Sequence, residues 1–78
     1  MPVSAYVLIQ TEVGKAATVA SAVAGIDGVE VAETVTGPYA AIVRVSGSTM
    51  DDVARTVVSR IQMVDGITRT LTCEVVHI

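Results

Sequence analysis

Phe and Trp are absent from this 78-residue sequence, and Tyr (two), Cys (one), His (one) and Pro (two) are scarce. A single Cys excludes an internal disulfide and fits a reducing cytoplasm. One Cys and one His are too few for a structural zinc site. Five Lys and Arg against eight Asp and Glu give a net charge of -3 and a pI near 4.7. The chain therefore lacks the basic surplus that clamps phosphates, and with so few aromatic rings it has no platform for stacking single-stranded bases, so direct nucleic-acid binding is not expected. Mean hydropathy is high, at +0.63. Even so, the long uncharged runs at 1–11 and 16–26 are too short to span a bilayer, and no basic segment precedes an apolar one as in a secretory signal. A membrane role is not expected.

Sixteen valines and nine threonines favour strands, and the alanines between 16 and 24 favour a compact helix. One small domain over residues 1–78 is implied. A chain this short buries a modest core, and without disulfide or metal its remaining source of extra burial is self-association.

Shifting the sequence by 38 places its second half on its first. Ala16 then meets Ala54, Val19 meets Val57, Val23 meets Ile61, and Ile26-Asp27-Gly28-Val29 meets Val64-Asp65-Gly66-Ile67. Each unit reads as an extended apolar run (5–11 and 39–46), a helical pattern, an Asp-Gly turn and a second extended run (29–36 and 67–76). The order is βαββαβ. The first helix is expected over 14–24, with Ala16, Val19, Ala20 and Val23 inward and Gly25 ending it. The second is expected over 49–63, with Ser48 as N-cap, Asp51 and Asp52 in the first turn, and Met50, Val53, Ala54, Val57, Val58 and Ile61 inward.

Two such units fold most simply as an α+β, ferredoxin-like sandwich: a four-stranded antiparallel sheet with both helices on one face. Strand alternation puts Ala5, Val7, Ile9, Val43, Val45, Leu71, Cys73 and Val75 under the helices. The opposite parity assigns Tyr6, Leu8, Gln10, Ala32, Thr34, Thr36, Ala40, Ile42, Arg44, Thr68, Thr70, Thr72 and Glu74 to the open face. A wet sheet face usually carries charged ladders, whereas this one centres on Leu8 and Ile42. A second copy of the chain is expected to cover it in a two-fold dimer.

Catalytic chemistry is sparse, and no catalytic, cofactor or metal residues are assigned. His77, the only imidazole, has no framing nucleophile or acid; Cys73 reads as a buried, inert thiol; Asp51 and Asp52 read as helix-start acids. Thr11 to Lys15 lacks the glycine spacing of a phosphate loop. What remains is the turn Val35-Thr36-Gly37-Pro38-Tyr39 and the threonine row 68, 70 and 72. Backbone N–H groups at a glycine turn and neutral hydroxyls suit a small zwitterion better than a reacting substrate, and they equally suit a plain hairpin with β-favouring threonines.

Three segments carry a resemblance: Ile26-Asp27-Gly28-Val29, Val35-Thr36-Gly37-Pro38-Tyr39 with Ile42-Val43-Arg44-Val45, and Val64 to Thr72. In order and spacing they resemble the effector-binding domain of Lrp/AsnC (feast/famine) transcription regulators, over nearly the whole chain. The resemblance implies a sandwich dimer, assembly into rings such as octamers or decamers, and an amino-acid effector held between dimers. It places the ligand loop on Thr36, Gly37, Pro38, Tyr39 and Ala40, and paired hydroxyls on Thr70 and Thr72. At Ala40 the family usually has Asp, a partner for a ligand ammonium. The exchange weakens or abolishes amino-acid binding unless Glu33, Asp65 or Glu74 of a neighbour substitutes. With the first strand starting near Met1, no helix-turn-helix domain is expected, and the chain reads as a stand-alone effector domain that senses a ligand, co-assembles with a full-length regulator, or both.

Other readings stand beside it. An ACT-type effector domain would associate edge to edge. A small dimeric α+β barrel enzyme would rely on Tyr6, Arg44 and His77. A ligand-free structural assembly protein would need only the covered face.

Overall fold

The computed structural model describes residues 2–77; Met1 and Ile78, the ends of the expected 1–78 domain, lie outside the described residues. The elements run β1 (Val3–Thr11), α1 (Ala16–Ala24), β2 (Val29–Thr34), β3 (Ala41–Gly47), α2 (Met50–Thr56), a π-helical segment (Val57–Ile61) and β4 (Ile67–Glu74). The strands form one antiparallel sheet in the order β2-β3-β1-β4, which is the ferredoxin-like arrangement expected from the βαββαβ pattern.

Helix α1 forms where small and β-branched residues leave Val19, Ala20 and Val23 on one side, and these three are buried. It begins at Ala16, two residues later than expected, with Lys15 at its N-cap and no side-chain cap. Gly25 does end it, though in right-handed backbone with φ of -85° rather than the left-handed cap often seen at glycine. Helix α2 is capped by Thr49, whose hydroxyl accepts the Asp52 N–H at 3.2 Å, and not by Ser48. The regular helix stops at Thr56. It continues as a π turn in which the Gln62 N–H donates to the Val57 carbonyl at 2.9 Å. Val53, Val57 and Ile61, four residues apart, face the core, while Ala54 and Val58, each one position further round the helix, are exposed, Val58 at 59%, so neither belongs to the core as expected.

The 38-residue repeat is physical. Gly28 and Gly66 hold φ of 93° and 97°, the turn geometry that glycine tolerates, and each packs against the helix of the other unit. A Cβ at Gly28 would meet Thr56 of α2, and one at Gly66 would meet Val19 and Lys15 at 3.2 and 3.3 Å. Each glycine carbonyl also accepts an N–H from a strand end, Ser46 onto Gly28 at 2.9 Å and Glu12 onto Gly66 at 2.8 Å.

The core joins Ala5, Val7 and Ile9 of β1 with Ala41, Val43 and Val45 of β3 beneath Val19, Val23, Val53, Val57 and Ile61. Two strands present the opposite faces from those expected. Leu71 pairs with Leu8 and Cys73 with Tyr6, so both stand on the open face, while Thr70, Thr72 and Glu74 share the helix-side parity of Ile9, Val7 and Ala5. The helices pack over β1, β2 and β3 and leave edge strand β4 largely uncovered. Its helix-side positions therefore meet water and are polar, and its apolar ones turn the other way. Cys73 is accordingly exposed, not buried. On β2 a bulge at Glu30 aligns Val31 with Arg44 and Glu33 with Ile42 on the open face, and places Ala32 and Thr34 on the helix side, where Ala32 packs on the core.

Candidate functional site

The segment between β2 and β3 is closed at its ends by backbone. The Val35 N–H donates to the Ala40 carbonyl at 3.0 Å, and the Ala40 N–H reaches the Ile9 carbonyl at the end of β1, at 2.9 Å. Between these anchors Thr36, Gly37, Pro38 and Tyr39 project as a loop, with Gly37 at φ of 141°. The Gln10 amide braces it from the neighbouring strand, donating from Nε2 to the Pro38 carbonyl at 3.1 Å.

This loop walls a cleft of about 480 Å³. All five expected loop residues, Thr36 to Ala40, line it together with Val35. Gln10, Thr11 and Thr68 complete the wall from β1 and β4. Thr68 reaches the cleft because it is the extra residue of a bulge: Gln10 pairs with Arg69 and Thr11 with Ile67, leaving Thr68 unpaired between them. The lining mixes hydroxyl, amide and backbone groups with the apolar side chains of Val35, Pro38 and Ala40, and it holds no charged side chain. A small polar ligand would find hydroxyl donors and acceptors there and a tyrosine for apolar contact.

Of the hydroxyls expected on the last strand, Thr70 sits next door and Thr72 does not join. Thr70 lines an adjoining cleft of about 240 Å³ with Gln62, Ile67, Thr68 and Arg69, and its Oγ1 accepts the Gln62 Nε2 at 2.8 Å. Thr72 lies two residues further along β4, paired with Val7, and lines neither cleft. Gln10, Thr11 and Gln62 carry no motif in the sequence; only pairing at the strand ends brings the first two beside the loop, and only the π turn brings the third to β4.

The second notable surface is the helix-free face. Across its centre runs the row Ile42, Leu8 and Leu71, with Glu33 at the β2 edge; beside it runs Val31, Arg44, Tyr6 and Cys73. Val31, Tyr6 and Leu71 are 45%, 41% and 40% exposed. Arg44 is fixed by contacts to Tyr6 and Glu30. Its Nη1 donates to the Tyr6 hydroxyl at 2.7 Å, its guanidinium carbon stands 5.2 Å from the Tyr6 ring centre, and its Nε lies 3.4 Å from Glu30 Oε2. Tyr6 and Arg44 thus hold one another, and His77 is exposed in the tail beyond β4. Among the described residues no three His, Cys, Asp or Glu side chains cluster as a metal site requires. No helix there is long and apolar enough to cross a membrane.

Comparison with curated protein sequences gives no match. Among solved structures, TTHA0845 from Thermus thermophilus is similar over 97% of this chain and 95% of its own, at 25% identity and a TM-score of 0.90. AsnC from E. coli shares the fold at 22% identity and a TM-score of 0.88, over 96% of this chain and 51% of that protein. The transcriptional regulator NMB0573 from Neisseria meningitidis, solved as a complex with L-Met, shares it at 14% identity and a TM-score of 0.82, over 96% and 50%. A family model described as the Lrp/AsnC ligand binding domain matches residues 4–77. With that match spanning all four strands and both helices, the chain belongs to the Lrp/AsnC ligand-binding domain family.

Proposed function

We propose that this chain is a single effector-sensing and assembly domain serving transcriptional regulation in the cytoplasm. It pairs with a second copy through the helix-free sheet face, builds further into rings such as octamers or decamers, and takes a small effector of amino-acid size at the Thr36 to Ala40 loop, with Thr70 at its margin. Through the same surfaces it co-assembles with a full-length regulator. Neither catalysis nor direct DNA contact is part of this role.

One observation carries the reading: a face whose central row is Ile42, Leu8 and Leu71 is left uncovered in a 78-residue chain. Apolar patches of this kind mark interaction surfaces. Self-pairing covers it with no further component, and a two-fold axis needs only one self-complementary patch. The neutral, hydroxyl-lined cleft supports the effector half, as does L-Met in a regulator of the same fold. Light-scattering mass measurement of the chain, with and without each of the twenty amino acids, tests both halves. Assembly that shifts in size or stability with an effector is expected; a monomer indifferent to every one of them would refute the reading.

A further inference from the structure

We infer that the open edge of β4 is a second self-pairing surface, which joins this chain antiparallel to β4 of a neighbouring copy and so links face-paired dimers to one another. The inference rests on the proposed pairing through the sheet face and names the contact that carries assembly beyond it.

The backbone of β4 is aimed outward at defined positions. The Val75 N–H donates to the Ser4 carbonyl at 2.9 Å, in the register that pairs Ala5 with Glu74 and Leu8 with Leu71. In an antiparallel ladder, positions that bond across to the partner strand alternate with positions whose N–H and C=O point the other way. Leu71, Cys73 and Val75 therefore bond to β1, and Thr70, Thr72 and Glu74 direct their backbone groups to the edge of the sheet. In the strand order β2-β3-β1-β4, that edge meets no further strand of the described chain.

The two edges of the sheet differ. Strand β2 is six residues long, bulged at Glu30 and roofed by α1, features that keep another strand from docking. Strand β4 is eight residues long, free of Pro and Lys, regular from Arg69 to Glu74, and left largely uncovered by the helices. Two copies can therefore bring their β4 edges together without helix striking helix.

A second β4 fits this edge. Antiparallel pairing about a two-fold axis needs one strand to match itself, with outward positions opposite outward positions. Centring the axis on Leu71 sets Thr70 opposite Thr72; centring it on Thr72 sets that residue opposite its own copy and Thr70 opposite Glu74. Both registers place helix-side residues beside helix-side residues and set threonine against threonine, a favourable cross-strand pair, with no like charges directly opposed. The hydrogen bonds are few, so the contact is weak between lone chains. It gains strength between face-paired dimers, each of which brings two such edges. Two distinct two-fold contacts per chain then carry assembly past the dimer.

Hydrogen exchange and mass measurement on the full chain test this. In the assembled chain the amides of Thr70, Thr72 and Glu74 should exchange at least about a hundredfold more slowly than in an unstructured peptide. Thr72→Pro removes an N–H that the β1 ladder does not use, and proline is tolerated at such edge positions. It should leave the circular dichroism and the face-paired dimer intact and stop assembly at the dimer in light scattering. Three results would overturn the contact and leave face pairing standing: an unmodified chain that never exceeds a dimer, larger assemblies in which these amides exchange within about tenfold of the peptide rate, or larger assemblies that persist in folded Thr72→Pro. Protection of outward amides on β2 together with those on β4 would also overturn it, since that marks head-to-tail pairing of unlike edges. A monomer at every concentration would refute face pairing itself, and this contact with it. Should Thr72→Pro fail to fold, exchange in the unmodified chain decides.

Discussion

Leu71 separates two accounts of the sheet. If it lay under the helices, as strand parity implied, Leu71→Ala would open a core cavity and cost the fold about 2–5 kcal/mol. In the structure it stands on the open face beside Leu8, 40% exposed in the single chain. Full burial of a leucine side chain is worth about 1.5–3 kcal/mol, so covering the remaining two-fifths is worth about 1 kcal/mol. A two-fold interface contains the residue twice, which makes about 2 kcal/mol per dimer, roughly a 30-fold rise in the dimer dissociation constant. Leu71→Glu adds the desolvation of two carboxylates and should leave the chain monomeric at micromolar concentration. Sedimentation equilibrium reads the association, and circular dichroism at the concentration where the variant is monomeric reads the fold. A dissociation constant unmoved by either substitution, or a variant chain that unfolds as a cavity mutant would, refutes the reasoning.

Further outcomes follow from the same structure. Thr49→Ala should lower stability by about 1 kcal/mol through loss of the α2 cap, while Ser48→Ala stays within about 0.5 kcal/mol in urea unfolding. Because Val58 is 59% exposed and Ile61 fully buried, Val58→Thr should change the urea midpoint little, whereas Ile61→Ala should cost about 2–5 kcal/mol. Gly66→Ala must strain a φ of 97° and press on Val19 at 3.2 Å; it should destabilise more than Gly14→Ala, where φ is 81° but the space is open. Cys73, exposed in the single chain on the face proposed to pair with a second copy, should react with an aromatic disulfide reagent more slowly in the unmodified chain than in monomeric Leu71→Glu; equal rates would place the thiol outside the interface.

How legible this molecule is in its sequence depends on range. The repeat, the βαββαβ order and the inward residues of β1, β3 and α1 follow from local periodicity, because each of those elements has one face pressed on the core and one away from it. Strand β4 defeats that rule. As an uncovered edge strand its polar residues, Thr72 and Glu74, lie on the helix side, and parity read from Leu71 and Cys73 as core residues comes out inverted. The bulges at Glu30 and Thr68 leave no signature in composition, and neither does the π turn that follows Thr56. The loop from Thr36 to Ala40 is visible through its glycine and proline. Its companions Gln10, Thr11 and Thr68 come from strand ends far away in the chain, and only the ladder register brings them to one cleft.

Pairing of two chains through the helix-free sheet face is most directly tested by isotope-filtered nuclear Overhauser measurements on an equimolar mixture of labelled and unlabelled chains. The account predicts intermolecular contacts from the methyl groups of Leu8, Ile42 and Leu71. Absence of any such contact from those three side chains, or contacts arising only from the helices, would contradict it.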